Sequence, residues 1–454
     1  MARDLTLLTD FYELTMMQGY YLCHKTEEEV IFDMFYRKNP MGNGFAICCG
    51  LAQLIEYIRN LHFNEDDIDY LRSLGVFDEG FIDYLRGFHF TGSIYAVPEG
   101  TVVFPREPLV KVIAPVIQAQ LVETAILNII NHQSLIATKA CRVVYAAKGD
   151  SVMEFGLRRA QGPDAGLYGA RAAMIGGCSG SSNVMAGRDF SVPVLGTHAH
   201  SWVMSFDSEL EAFLAYARIY PDNCILLVDT YDTLKSGIPN AIRTFDRMRE
   251  EGISLGRYGI RMDSGDLAYL SKRAKRMLDE AGYTNAVISA SNDLISSLKM
   301  QGATINSWGV GTNLITSETQ PSFGGVYKLA AVRGEDGKWI PKIKLSENTE
   351  KITNPGDKQI HRIYDRKSGK ILCDYLTLAE EHPDPERDLM VFDPQDTWKK
   401  TCFRGGSYRL RELLIPIFRE GKLVYESPSV MEIREICRKE QETLWDESRR
   451  LRNP

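Results

Sequence analysis

From residue 151 onward, short apolar runs end in polar clusters again and again. The runs are 152–155, then Gly-Leu-Arg-Arg; 192–195, then Gly-Thr-His-Ala-His; 225–228, then Asp229; 259–262, then Asp263-Ser-Gly-Asp; 286–288, then Ser-Ala-Ser-Asn-Asp; and 308–310, then Gly-Thr-Asn. Apolar runs this short, bounded this way, read as buried strands. Amphipathic helices fill the intervals. In the clearest, 266–281, Leu267, Leu270, Ala274, Met277, Leu278 and Ala281 share one face, and Gly282 fits the position after the last turn. Helices at 238–251 and 294–301 end likewise at Gly252 and Gly302. Six successive strand–helix units predict a parallel α/β fold. A polar cluster at each strand end favours an irregular TIM-like α/β barrel, whose chemistry gathers at that face. A doubly wound sheet would concentrate it at one switch point.

The flanks have a different texture. Thr9 or Asp10 is placed to cap a helix through Leu14, Met17 and Tyr21. Strands are expected at 31–36 and 45–49, helices at 53–61 and 66–74, and short helical pieces over 78–90. Residues 91–114 read as a small β region, and 117–147 as one long buried helix or two consecutive ones. Beyond Leu329 the chain turns charged and strand-like over 333–400, then ends in an amphipathic helix over 427–452. The expected organisation is an N-terminal α+β region at 1–140, a barrel at 141–332, and a C-terminal region at 333–454 that returns to the N-terminal one as a second, β-rich domain.

Composition narrows the class. A chain of 454 residues exceeds a single small core. Hydrophobic content of 44% and charged content of 25% are ordinary for a globular enzyme. A net charge of −7 without a basic stripe argues against nucleic acid as a partner. Nine cysteines without a Cys-x-x-Cys pair fit a reducing cytoplasm better than a disulfide framework or a structural zinc. Asp4 and Asp10 interrupt what would be the apolar part of a signal peptide. No apolar run approaches the ~20 residues of a membrane span.

The strand ends hold the candidate chemistry. His198 and His200 are two of only eight histidines, and they fit either a site or a pair of loop histidines. Arg158 and Arg159 suit a phosphate or carboxylate, since a guanidinium offers parallel donors, and they also suit surface ion pairs. The small-residue stretch 176–183 can bring backbone N–H groups to an anion or simply turn, and it lacks the Gly-Lys-Ser/Thr of a Walker loop. Asp229, Arg261, Asp263 and Asp266 put charge at consecutive strand ends. Arg261 and Asp263, two residues apart on one side, could hold an anion, a ribose hydroxyl or a magnesium shell, or could pair with each other. Gly309–Thr312 resembles a late-strand phosphate turn. This inventory points to a phosphorylated, sugar-like substrate with magnesium. A metal-dependent barrel hydrolase using His198 and His200 is the rival, but it needs histidines at later strand ends, and His361 and His382 lie beyond the barrel. A non-catalytic binding barrel leaves the density of charge unexplained.

Six pieces in order, 9–15 (TDFYELT), 155–159 (FGLRR), 180–187 (GSSNVMAG), 196–201 (GTHAHS), 260–266 (IRMDSGD) and 309–316 (GVGTNLIT), resemble the nicotinate phosphoribosyltransferase family. That family belongs to the type II phosphoribosyltransferases, with the nicotinamide and quinolinate enzymes. The resemblance implies transfer of phosphoribosyl from phosphoribosyl diphosphate to nicotinate, driven by ATP with Mg2+. It implies that ATP phosphorylates His200, that Asp263 is catalytic, and that His198 has no assigned role. Phe155 and Tyr12 would sandwich the pyridine ring, with Tyr12 supplied by the other subunit of a homodimer. Taken alone, Tyr12 reads as a core aromatic and Phe155 as a barrel-interior side chain. By the same resemblance Thr197 and Arg261 would hold the carboxylate, and Arg158, Asp263, Gly311 and Thr312 the ribose phosphate and diphosphate. The metal is inferred from the diphosphate leaving group, and no dedicated metal cage is visible in the sequence. The nicotinamide enzymes carry an acid in the loop matching 181–183. Here Ser182 is neutral, which favours nicotinate over nicotinamide.

Overall fold

The computed structural model describes residues 4–291, 294–345, 353–394, 396–452 and 454. The chain forms two compact units, one of residues 1–135 with 322–454, the other of residues 136–321. These bounds replace the expected breaks at 140 and 332. The strand Gly325–Arg333 does not continue the α/β alternation; it pairs antiparallel with Glu29–Tyr36, and the Tyr327 ring stacks on Phe32 at 4.8 Å. The break near residue 135 falls inside the helix Glu123–Ala147, which follows a separate helix, Val116–Leu121.

The first unit is built on a seven-stranded sheet that interleaves both ends of the chain. Its order is Trp339–Pro341, Gly325–Arg333, Glu29–Tyr36, Val110–Pro115, Ser93–Ala96, Ile415–Arg419 and Lys422–Leu423. A three-stranded sheet of Ile371–Leu378, Lys358–Asp365 and Tyr408–Glu412 accompanies it. Buried Arg362 on the middle strand donates to Asp374 at 2.8 and 2.6 Å and to Glu440 at 3.0 Å, which ties the C-terminal helix Val430–Glu442 to this sheet. That helix is shorter than the expected 427–452. It starts where Ser429 and Glu432 form a reciprocal capping box.

The second unit carries the alternation. Six parallel strands run in the order Gly180–Ser181, Ser151–Glu154, Ser307–Val310, Val287–Ser291, Arg257–Met262 and Asn223–Leu227, as a curled half-barrel sheet. Ile225, Leu226, Leu227, Ile260, Met262, Trp308 and Val310 are almost fully buried, as parallel strands covered on both faces require. Among the described residues no strand pairing joins the two outer strands. The expected strand at 192–195 is a correction. Only Val194 bridges, in parallel, to Ser181, because Pro193 offers a carbonyl to the sheet but no N–H. Asp266 caps the helix Leu267–Glu280 by accepting from the Tyr269 N–H at 3.0 Å. Asn292 and Asp293 of the expected fifth cluster lie outside the described residues. No helix among the described residues is long and apolar enough to cross a membrane.

Candidate active site

Arg261 is the hub of the strand-end cluster. It sits one residue before the end of the strand Arg257–Met262, where its backbone is fixed between two neighbouring strands. Its Nη1 donates to Thr197 Oγ1 at 2.9 Å, and its Nη2 reaches both carboxylate oxygens of Asp263 at 2.9 Å. Nε and Nη2 also donate to Ser291 Oγ at 3.1 and 2.9 Å. The guanidinium carbon stands 5.8 Å from the centre of the Phe155 ring, within cation–π range. The ion pair foreseen as an alternative for Arg261 and Asp263 is therefore formed. Five N–H donors belong to a guanidinium, and one on Nη1 has no acceptor among the described residues.

Phe155 follows the strand Ser151–Glu154, and its N–H donates to the Val310 carbonyl at 2.8 Å. A methyl group at Gly309 would stand 2.7 and 3.0 Å from two carbons of the Phe155 ring, so only glycine lets the ring lie against that strand. Behind Phe155, fully buried Glu154 accepts from the Gly156 N–H and from Ser181 Oγ, the latter at 2.6 Å. Burial raises its carboxyl pKa, partly offset by those two hydrogen bonds. One carboxyl thus pins the Phe155–Gly156 turn to the 181–183 loop. Ser182 is half-buried there, its N–H donating to the Glu154 carbonyl at 3.0 Å. Asn183 caps the next helix, Val184–Phe190, through the Ala186 N–H at 3.2 Å.

His200 begins the short helix His200–Met204. Its Nδ1 lies 3.0 Å from Thr230 Oγ1, and its Nε2 lies 3.9 Å from Asp229 Oδ1. The imidazole is 41% exposed while the Asp229 carboxylate is 2% exposed. A reachable ring nitrogen therefore faces a sheltered carboxylate. Asp229 Oδ2 accepts from the Asp263 N–H at 2.9 Å and from Ser264 Oγ at 2.6 Å, which links the His200 corner to the Arg261 corner. Asp229 Oδ1 is buried with no hydrogen-bond partner.

The structure brings together Phe155, Thr197, His200, Arg261 and Asp263. Gly311 adjoins Phe155, since a methyl on it would meet the Phe155 carbonyl oxygen at 3.5 Å. Thr312 is exposed at the start of the helix Thr312–Ile315. Arg158 and Arg159, in the turn Leu157–Arg159, are exposed. Tyr12 belongs to the first unit, on the helix Phe11–Leu22. It is 47% exposed, which overturns the reading as a core aromatic. His198 is buried, and its Nε2 is taken by the Leu227 N–H at 3.2 Å, so the pairing with His200 as metal ligands does not form. Among the described residues no group of three or more His, Cys, Asp or Glu is placed to hold a metal ion. Thr230, Ser291 and Glu154 were not expected. The only signal for Thr230 was its place beside Asp229, and a serine or a glutamate at a strand end carries none.

Three family models match the chain. They are described as the nicotinate phosphoribosyltransferase N-terminal domain, over residues 7–131; the nicotinate phosphoribosyltransferase family, over 151–377; and the nicotinate phosphoribosyltransferase C-terminal domain, over 357–454. The nicotinate phosphoribosyltransferase of Bacillus subtilis (strain 168) is 45% identical over 456 residues, covering 99% of this chain and 91% of its own. That of Homo sapiens is 32% identical over 510 residues, covering 99% and 93%. The crystal structure of human nicotinic acid phosphoribosyltransferase superposes with a TM-score of 0.86 at 30% identity, covering 98% of this chain and 96% of that one.

Proposed function

This chain belongs to the nicotinate phosphoribosyltransferase family, and from that premise we propose that the half-barrel mouth couples phosphoribosyl transfer to ATP through His200. The reaction joins nicotinate to the ribose of phosphoribosyl diphosphate, giving nicotinate mononucleotide and diphosphate. The six-stranded sheet supports the reading of an incomplete TIM-like barrel with its chemistry at the C-terminal strand ends. The observation that carries the ATP step is the pairing of an exposed imidazole with a sheltered carboxylate, Asp229, beside the Arg261 cluster.

Nicotinate is a flat ring with one carboxylate. Phe155 offers a stacking face worth roughly 1 kcal/mol beyond burial. The free N–H of Arg261 and the Thr197 hydroxyl, 2.9 Å apart through Nη1, offer the carboxylate a charge-assisted seat. The pyridine nitrogen then attacks the anomeric carbon as the C–O bond to diphosphate breaks. Charge develops on the leaving group, so fixed donors matter more than a strong base. Gly311, Thr312 and Arg158 are assigned to the phosphates, and Asp263 to the ribose side of the cleft.

In the ATP step an imidazole nitrogen of His200 attacks the γ-phosphorus. The N–P bond forms as the bond from the γ-phosphorus to the ADP oxygen breaks, and the ring, cationic at that moment, then gives the proton on its other nitrogen to solvent. Asp229 stabilises the cationic ring, and Thr230 holds its orientation. Water later cleaves the N–P bond, releasing phosphate. Magnesium suits the oxygen donors here, since Asp229 Oδ1 is a buried carboxylate oxygen without a partner. Asp229 and Asp263 would hold it, and when bound it would neutralise charge on the phosphates. A homodimer with Tyr12 of one copy completing the pyridine stack of the other fits the exposure of that ring. A cytoplasmic site fits a salvage reaction of soluble nucleotides.

Labelling with ATP carrying radioactive γ-phosphate tests the coupling. Wild type is expected to retain acid-labile, base-stable label, and His200→Asn to retain none; equal labelling of both proteins would reject His200. Acceptor choice is tested at the 181–183 loop. Ser182→Asp puts a negative charge where the carboxylate approaches. Its kcat/KM for nicotinate is expected to fall by about tenfold or more, the effect of roughly 1.4 kcal/mol of repulsion. Unchanged nicotinate kinetics would contradict this placement of Ser182.

A further inference from the structure

The strand Asn223–Leu227 is an outer strand of the half-barrel, bonded to Arg257–Met262 on one side only. Along a strand, successive N–H groups point to opposite edges. The Val228 N–H donates to the Arg261 carbonyl at 3.1 Å. The Leu227 N–H therefore points to the open edge, and Leu227 is 1% exposed. A buried N–H without a strand partner needs another acceptor. His198 supplies it, its Nε2 accepting from the Leu227 N–H at 3.2 Å. The imidazole stands where the carbonyl of a further strand would be.

The ring is held from its other faces as well. Tyr216 meets it edge-on at 4.7 Å between centres, and Phe213 lies at 6.2 Å, both on the helix Glu209–Ile219. Accepting at Nε2 fixes the tautomer, with the proton on Nδ1, 3.4 Å from the Ala199 carbonyl. Burial, with smaller contributions from Arg261 and His200, lowers the His198 pKa to about 4, so the ring stays neutral and able to accept.

The consequence lies two residues further along both segments. His198 precedes His200 by two, and Leu227 precedes Asp229 by two. We propose that His198 is a positioning residue, whose bond to the Leu227 N–H sets the register that brings the His200 ring against Thr230 and Asp229. Among the described residues, the bond to His198 is the one hydrogen bond that the segment 197–200 receives from the outer strand before His200 itself meets Thr230. The proposal rests on the assignment of His200 as the phosphoryl acceptor only for its kinetic consequence; its structural content stands apart from it.

Three variants separate the acceptor from the bulk. Leucine at 198 keeps apolar contact with Tyr216 but offers no lone pair. Glutamine places a carbonyl at about the reach of Nε2, and asparagine stops short. The first readout is NMR of ring-labelled histidine in the full-length protein at one fixed pH, following the ring chemical shifts and tautomer of His200, assigned by their loss in His200→Ala. His198→Leu is expected to move the His200 ring shifts or change its tautomer, and His198→Gln to restore the wild-type signals. His198→Asn takes the place of the leucine variant if that one does not fold. The second readout is ATP-stimulated transfer. The stimulated increment is expected to fall at least tenfold in His198→Leu, with the KM for nicotinate within twofold of wild type, and to recover in His198→Gln. Unchanged His200 signals in a folded variant lacking the acceptor would overturn the proposal. So would equal loss in the leucine and glutamine variants. A wild type without ATP stimulation would reject the phosphoryl role of His200, and the NMR result would still decide the role of His198.

Discussion

Replacing Arg261 with alanine is expected to raise the KM for nicotinate by about a hundredfold or more. Charge-assisted hydrogen bonds contribute roughly 1.5–3 kcal/mol each, and a carboxylate seated on this guanidinium loses at least one of them along with its countercharge. The change also removes a cation packed over Phe155 at 5.8 Å and leaves Asp263 and Ser291 without their shared donor. Asp263 keeps its backbone bond to Asp229, so the His200 corner is expected to survive. KM should therefore rise more than kcat falls, the sign of lost binding common to ground and transition states. Steady-state kinetics with nicotinate as the varied substrate check this. A KM within a few-fold of wild type would show that the carboxylate binds elsewhere. Lysine at this position is expected to recover little. A point charge cannot span Thr197, Asp263 and Ser291 as the planar fork does.

The second large effect concerns His200. His200→Ala is expected to remove the whole ATP-dependent increment of transfer, leaving the rate that wild type shows without ATP. The imidazole is the nucleophile of the ATP step but makes no hydrogen bond to Arg261, Thr197 or Phe155. The seat for nicotinate should stay intact, so the KM for nicotinate without ATP is expected to match wild type. Asp229 keeps its bonds to the Asp263 N–H and Ser264 and is not set loose by the change. Parallel measurement of mononucleotide and ADP distinguishes the outcomes. ADP still formed in step with product would mean that another group accepts the phosphoryl. A variant equally poor with and without ATP would place His200 in the transfer step itself.

Much of this was legible in the residues, for identifiable reasons. Helices with sharp ends, such as Leu267–Glu280 between Asp266 and Gly282, carry their signals locally. Apolar strands that end in charge announce both the parallel sheet and the mouth where Arg261, Asp263 and His200 meet. The run at 192–195 misled because apolar character alone does not supply the N–H that Pro193 lacks. The end of the second unit was placed too late because the apolar pattern of Gly325–Arg333 is the same whichever sheet receives it. Only its pairing with Glu29–Tyr36, nearly three hundred residues earlier, decides. Glu154 was hidden in an apolar run, and its partner Ser181 comes 27 residues later. Thr230 and Ser291 gain meaning only from the rings and guanidinium that fold onto them. The resemblance assigns His198 no role because that position varies in the family. The open strand edge that gives His198 its place has no mark in the sequence.

The most direct test is product formation from nicotinate and from nicotinamide side by side. The purified protein is incubated with phosphoribosyl diphosphate, magnesium and ATP, and with either nicotinate or nicotinamide, and mononucleotide and ADP are followed together. Mononucleotide from nicotinate, accelerated by ATP with ADP formed alongside, and none from nicotinamide, is the expected result. Mononucleotide from nicotinamide at a comparable rate would contradict the carboxylate seat assigned to Arg261 and Thr197 and the neutral loop at Ser182.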